Sequence, residues 1–194
     1  IDRKDSTGPN VLHATARARR RRATTGAQVM QATLEARDAK SGTLGGKYLT
    51  FSLAGEEYGV EILKVREIIK IMDITSIPQV PGDVKGVINL RGKVIPVIDL
   101  RLKFGMEPAE YTDQTCIVVV DVGSLVGIIV DTVQEVLDNA GDQIDPPPPL
   151  GAQDDTSFVL GMGKVKGDVK ILLDIDKVLG ADEIAAIVQS VQSE

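Results

Sequence analysis

Side chains that could carry out catalysis are few in this sequence and stand far apart. The only histidine, His13, lies near the amino terminus among loop-forming residues, and the only cysteine, Cys116, lies in an apolar run. A histidine-based triad, most zinc sites and a phosphate-accepting histidine within the fold are therefore excluded. A cysteine in an apolar strand is expected to be buried and unreactive.

Glycines and aspartates give no stronger sign of a cofactor site. The chain has no GxxxxGK[ST] phosphate loop, and GMG at 161–163 lacks the third glycine and the strand–turn–helix setting of a dinucleotide site. Asp99, Asp174 and Asp176 stand at short helical turns, so we expect them to cap these turns rather than form a carboxylate pair. The sequence therefore predicts a protein that is not an enzyme and that binds no metal and no cofactor.

Arg91 is the best candidate for a binding residue. It precedes Gly92 in a short polar turn between two runs of β-branched residues, a pattern that predicts a hairpin. Gly92 can adopt a positive φ there without steric cost. An arginine at such a tip can bind a partner's carboxylate through two parallel hydrogen bonds. The alternative is a solvated charge on a turn.

Charge divides the chain into two parts. Residues 1–46 carry nine Lys or Arg against four Asp or Glu, whereas residues 47–194 carry 13 against 24. An acidic folded part and a scarcity of aromatic residues argue against nucleic-acid binding. We expect 1–46 to be a disordered basic leader with a Gly-rich linker. Its arginine cluster at 17–22 is either part of a disordered extension without a binding role, or a tether to acidic lipid or nucleic acid.

The segments around Arg91 recur later in the chain. Two pairs of segments match in the same order, 86–104 with 161–179 and 58–69 with 126–137. The first match places Arg91 on Lys166. Two copies of the same plan predict an internal duplication. No apolar run approaches the roughly 20 residues needed to cross a bilayer, so direct membrane insertion is not expected.

The predicted fold class is all-β, with two five-stranded β-barrel subdomains, short helical turns and a C-terminal helix. The two interleaved subdomains are placed at roughly 47–110 and 111–180, and the helix at 181–191. The run CIVVVDV at 116–122 predicts a strand buried on both faces. Four prolines at 146–149 are either a docking ligand or, as we favour, a rigid spacer, because flanking specificity residues are missing.

Three segments carry a resemblance to a known family. YGVEILKVREI at 58–68, GVINLRG at 86–92 and PVIDLR at 96–101 resemble CheW, the family of bacterial chemotaxis coupling proteins. The resemblance covers about residues 47–190. It implies two β-barrels that share an apolar core, and a non-enzymatic adaptor without cofactor. It also implies that methyl-accepting chemotaxis receptors and the regulatory domain of the histidine kinase CheA are its partners. The location implied is the cytoplasm, at receptor arrays under the inner membrane.

The resemblance also implies roles for individual residues. The receptor-facing positions of the family correspond to Val65, Glu67, Gly86 and Arg91, with Cys116 in the adjoining strand. Glu67 is expected to orient the Arg91 guanidinium from the neighbouring strand. The run VREIIKIM at 65–72 is longer than one buried face needs. We therefore expect the kinase to dock on the apolar strand surface near Ile69 and Ile71.

Two other functions stay open. One is a regulatory barrel domain derived from a CheA-like kinase, or an adaptor of the CheW–receiver type that has lost its receiver. The other is nucleic-acid binding through the arginine cluster. The chain has no ATP-binding Asn/Gly boxes and no acidic receiver cluster with its partner lysine, which favours a free-standing adaptor.

Overall fold

The structure, a computed structural model, describes residues 45–139, 144–147, 157–165 and 167–192. Predictions for the leader up to residue 44, for Pro148 and Pro149 and for Lys166 lie outside the described residues. The described strands are β1 (Gly46–Leu53), β2 (Glu56–Glu61), β3 (Val65–Lys70), β4 (Val84–Leu90), β5 (Lys93–Asp99), β6 (Cys116–Asp121), β7 (Leu125–Val130), β8 (Thr132–Asn139), β9 (Ile144–Asp145), β10 (Val159–Val165) and β11 (Asp168–Leu173). The described helices are a 3-10 turn (Ile62–Lys64), α1 (Leu100–Lys103), α2 (Ile175–Leu179) and α3 (Ala181–Gln192).

The strands form two sheets. Sheet A has the order β8-β1-β2-β11-β10-β9, and sheet B has the order β3-β6-β7-β5-β4. The mostly-β prediction is confirmed, but neither sheet closes, so the prediction of two barrels is not. In sheet B the outer edge of β4 does not pair with β3. It pairs instead with the segment between β3 and β4, where Thr75 and Val87 exchange N–H···O bonds of 2.9 and 2.8 Å.

Equivalent strands occupy equivalent places in the two sheets. Under the repeat alignment, β3, β7, β5 and β4 of sheet B correspond to β8, β2, β11 and β10 of sheet A, in the same order. The topology therefore agrees with the predicted duplication. Each sheet takes strands from both ranges, 47–110 and 111–180, because the hairpin β1–β2 joins β8 to β11 and the hairpin β6–β7 joins β3 to β5.

Strand β6 has buried side chains on both faces, as predicted. Val118 and Val120 belong to an apolar cluster shared by both sheets, which we call the shared cluster. Ile117 and Val119 point to the other face. There they join the sheet-B cluster, whose buried members are Ile88, Ile95, Val97, Ile117, Val119 and Ile129. Each such side chain, fully buried, stabilises the fold by about 1.5–3 kcal/mol.

The C-terminal helix packs on the shared cluster. We predicted it at 181–191, and α3 spans Ala181–Gln192. On its apolar face, Ile184 and Ile187 are buried and Val188 is half-buried, while the Val191 side chain lies outside the described residues. Glu183 also accepts a 2.6 Å hydrogen bond from Lys103 Nζ, which links α3 to α1. No described helix has both the length and the apolarity needed to cross a membrane.

Candidate functional site

Arg91 lies at the tip of the hairpin between β4 and β5, as predicted. Both turn residues have a positive φ, 54° at Arg91 and 82° at Gly92, as in the type I′ turns that suit the twist of paired strands. Asn89 Oδ1 accepts the Gly92 N–H at 2.9 Å and closes the turn. The Arg91 side chain is 76% exposed, so its guanidinium is presented to solvent.

Glu67 holds this guanidinium. Arg91 Nη2 donates to Glu67 Oε1 at 2.6 Å, so the predicted orienting contact is confirmed. The expectation that Glu67 comes from the neighbouring strand is wrong, however, because β3 and the β4–β5 hairpin begin and end sheet B. The sheet curves enough to bring its two ends together at this pair. An exposed pair of this kind stabilises the fold by only about 0–1 kcal/mol.

The strand that carries Glu67 is fixed to its neighbour by a second ion pair. Arg66 on β3 donates from Nε and Nη2 to Asp121 Oδ2 on β6, at 3.1 and 2.7 Å. The hydrogen bond from Arg66 lowers the pKa of Asp121, opposed by desolvation and supported by the Gly123 N–H. Asp121 is therefore ionised at neutral pH, and its ion pair with Arg66 holds β3, the strand that carries Glu67, against β6.

Two of the predicted receptor-facing residues present no surface to a partner. Val65 is 1% exposed and packs in the shared cluster. Gly86 is buried with φ of 136°, and a Cβ added there would lie 2.0 Å from the Thr75 carbonyl oxygen. These residues set the shape of β3 and β4 and do not offer a contact.

Cys116 and the two isoleucines are half-buried. The Cys116 thiol lies 3.2 Å from the Gln114 carbonyl oxygen, and the side chain packs against the shared cluster. Cys116 is only partly buried, so the prediction of a buried thiol is not confirmed. Ile69 and Ile71 pack against the sheet-B cluster, and each keeps part of its surface open. Ile71 lies just beyond the end of β3, which stops at Lys70 rather than at residue 72.

The aspartates predicted to cap helical turns behave differently from one another. Asp99 Oδ1 accepts the Arg101 N–H at 2.9 Å and caps α1, as predicted. Asp174 occupies the equivalent position before α2 without a side-chain capping bond. Asp176 instead pairs with Lys64 at 2.6 Å. Among the described residues, no group of three or more His, Cys, Asp or Glu side chains is placed to hold a metal ion.

A groove of about 600 Å³ beside the hairpin was not predicted from the sequence. Its walls come from three segments far apart in sequence, which no local pattern connects. Val94 is 53% exposed there, an unusual value for a valine in a strand, and Pro96 follows it. The lining residues are Lys93, Val94, Ile95, Pro96, Ser124, Leu125 and Val188. Arg91 and this groove thus lie on the same hairpin.

A family model, curated relatives and a solved structure were found to be similar to this chain. The family model described as a CheW-like domain matches residues 47–183. A relative named chemotaxis protein CheW, from Klebsiella aerogenes, is 40% identical over 75% of this chain and 88% of its own length. The Rhizobium meliloti protein of the same name is 37% identical over 75% of this chain and 95% of its own length.

A solved structure is similar in fold and sequence. The scaffolding protein TtCheW from Thermoanaerobacter tengcongensis matches with a TM-score of 0.65 and 38% identity. The match covers 72% of this chain and 96% of that protein. The region described by the structure therefore has the architecture of a known scaffold.

Proposed function

The chain belongs to the CheW family, and from that premise we propose that it couples the cytoplasmic tips of methyl-accepting chemotaxis receptors to the histidine kinase CheA. The family consists of scaffold and adaptor proteins, so the proposed role is binding without catalysis. The chain spans most of the length of its relatives, which supports transfer of the whole adaptor role. Such an adaptor acts in the cytoplasm, at receptor arrays beneath the inner membrane.

Arg91 carries the proposal for the receptor surface. A guanidinium has five N–H donors, and the contact with Glu67 uses Nη2. The side chain is mostly exposed, so other donors are available to a carboxylate on the receptor. Because Glu67 already holds the arginine in one orientation, binding would cost less side-chain entropy than it would for a free arginine.

The groove beside Arg91 supports the same proposal. A receptor tip is a helical hairpin, and an amphipathic helix binds by laying its apolar face into an apolar groove. Val94, Pro96 and Leu125 supply apolar surface there, and Lys93 supplies a second cation at the rim. Apolar contacts in the groove and a charged contact at Arg91 would together fix the orientation of a helix.

The kinase surface is proposed farther along the chain from Glu67, at the end of β3. Strand β3 is an edge strand of sheet B, and Ile69 and Ile71 lie at its end with part of their surface open. The nearby Met72 is 42% exposed and extends the apolar surface. The regulatory domain of CheA would therefore bind near the receptor without competing for Arg91.

Binding of a receptor cytoplasmic fragment by three variants tests this proposal. Arg91→Ala is expected to weaken binding about tenfold or more, since a charge-assisted hydrogen bond contributes about 1.5–3 kcal/mol. Arg91→Lys should recover part of the affinity, because lysine cannot form the two parallel bonds. Lys93→Ala removes a cation from the same hairpin and is expected to cost less. Affinities are measured by titration calorimetry.

The turn itself requires a control. Arg91→Asn removes the guanidinium but suits the positive φ at this position, so it keeps the hairpin. It should bind as weakly as Arg91→Ala and unfold at the same urea concentration as the unmodified protein. Normal receptor binding by both variants would place the receptor site elsewhere.

A further inference from the structure

The two halves of the fold meet at two similar places, which we call seams. In sheet A, β11 runs parallel to β2, and in sheet B, β5 runs parallel to β7. Leu172 lies opposite Gly59 in the first seam, and Val97 lies opposite Gly127 in the second. Each seam therefore sets an aliphatic side chain against a glycine. The hairpins β4–β5 and β10–β11 dock by the same geometry.

Two residues before these glycines, the seams differ. In sheet A the position holds Glu57, and Lys170 of β11 forms an ion pair with it. The Lys170 side chain is 5% exposed and that of Glu57 27%. The hydrogen bond from Lys170 lowers the pKa of Glu57, so the Glu57 carboxylate is ionised at neutral pH. In sheet B the equivalent residues are Leu125 and Ile95, which both pack in the sheet-B cluster.

The segments that connect these two hairpins to the rest of the chain are long enough for either hairpin to dock on either sheet. The segments 71–83 and 104–115 separate the hairpin β4–β5 and helix α1 from the neighbouring strands, and 19 residues of chain, with β9 among them, separate β8 from β10. Lengthening a connection costs little entropy, so stretches of this length do not limit a hairpin to one sheet. By contrast, only the 3-10 turn Ile62–Lys64 separates β2 from β3, too short for a crossover within one sheet. The hairpin β1–β2 is therefore placed by its connection, and the other two hairpins are not.

We propose that the Glu57–Lys170 ion pair selects which of the two repeated hairpins docks on which sheet. If the hairpins exchanged places, Glu57 would lie beside Ile95 and Lys170 beside Leu125. Lys170 would then be buried without a counter-ion, and the half-buried Glu57 would lose its cation. Leaving a buried charge without its partner is strongly destabilising, whereas an apolar pair in place of both charges is often neutral. The pair therefore contributes specificity of assembly, and this role is independent of the proposed adaptor function.

Amide NMR of the full chain tests the proposal. The double variant Glu57→Leu with Lys170→Ile gives the first seam the residues of the second. We expect it to fold with two sets of signals, one showing nuclear Overhauser contacts between Leu172 and Gly59 and the other between Leu172 and Gly127. A single set with only the Leu172–Gly59 contact would overturn the proposal.

Two further variants keep the test decisive if the first loses its fold. Glu57→Leu with Leu125→Glu moves the carboxylate from β2 to β7 and leaves Lys170 in place. The hairpin β10–β11 should follow it, so Leu172 should contact Gly127; retention of the Leu172–Gly59 contact would contradict the proposal. The charge exchange Glu57→Lys with Lys170→Glu preserves the pair and should give one set of signals, and a second set would count against it.

Discussion

Arg91 and Gly86 lie on the same hairpin but have opposite surroundings. Arg91 is exposed at the tip, while Gly86 is buried against the Thr75 carbonyl. The family resemblance placed both residues on the receptor surface, because a match between sequences identifies equivalent positions but does not show whether their side chains are exposed. The exposure of Arg91 could be predicted from the turn residues around it. The burial of Gly86 could not, because it depends on a bridge between Thr75 and Val87 that no local pattern indicates.

At the residue scale we predict that Gly86→Ala unfolds the protein more easily rather than damaging a contact surface. The added Cβ would overlap the Thr75 oxygen, and φ of 136° is strained for alanine. Strain and overlap together should lower the free energy of unfolding by at least about 2 kcal/mol. Urea unfolding measures this value.

Gly82→Ala is the matched control, since nothing lies within 4 Å of a Cβ at that position. It should change the free energy of unfolding by less than about 0.5 kcal/mol. If Gly86→Ala kept its full stability but failed to bind receptors, the prediction would be wrong and Gly86 would belong to the receptor-binding surface.

At the scale of elements, one carboxylate joins three parts of the fold. Asp131, the residue between β7 and β8, accepts bonds of 2.6 and 2.5 Å from Arg101 Nε and Nη2 on α1. It also accepts the Ala54 N–H of the β1–β2 turn at 2.8 Å. Burial raises the pKa of Asp131, but the bonds from Arg101 and Ala54 outweigh it, so the pKa lies below its usual value.

This junction predicts a loss of stability in acid. A carboxylate with a lowered folded pKa stabilises the fold above the ordinary aspartate pKa of about 3.9, and that contribution disappears as the pH falls through the folded pKa. Asp131→Asn should therefore be less stable than the unmodified protein by about 1–3 kcal/mol at pH 7. The difference should shrink at about pH 3.

Urea unfolding at the two pH values measures this prediction. Asp168→Asn, at an exposed position of the β10–β11 hairpin, is the control and should show little difference at either pH. An unchanged gap between Asp131→Asn and the unmodified protein from pH 7 to pH 3 would show that the ionised carboxylate is not what holds the junction.

The edge strand β3 gives a second prediction at this scale. Ile71 and Ile74 are both half-buried against the sheet-B cluster, but only Ile71 lies at the proposed kinase surface. Truncation to alanine at either position should cost a similar amount of stability, about 1–2 kcal/mol. Ile71→Ala should weaken binding of the CheA regulatory domain several-fold, and Ile74→Ala should not.

Binding is measured by titration calorimetry at a temperature where both variants are folded. Equal affinities for the two variants would move the kinase surface away from the end of β3. Aspartate at position 71 is a poorer test, because burying part of a charge against this cluster would destabilise the sheet as well.

At the scale of the whole molecule, the sequence predicted the internal duplication better than it predicted how the repeated strands pair into sheets. The matched segments and the run at 116–122 predicted the duplication, the strands and the two-sided burial of β6, because these follow from local periodicity. The prediction of two barrels is not confirmed, because neither sheet closes among the described strands and the edge of β4 bonds to the segment at Thr75. The individual strand pairs across the two ranges could not be predicted, since pairing of distant strands depends on connections such as the 3-10 turn at Ile62–Lys64.

In the proposed function, one chain binds receptor and kinase at the same time, through neighbouring surfaces at Arg91 and Ile71. Sedimentation of receptor-containing membranes with CheA, with and without this protein, measures it most directly. We expect CheA to sediment with the membranes strongly only when the protein is present, and Arg91→Ala to reduce this recruitment while Lys93→Ala preserves most of it. Recruitment of CheA to the same extent without the protein, or with Arg91→Ala, would rule out simultaneous binding through these surfaces.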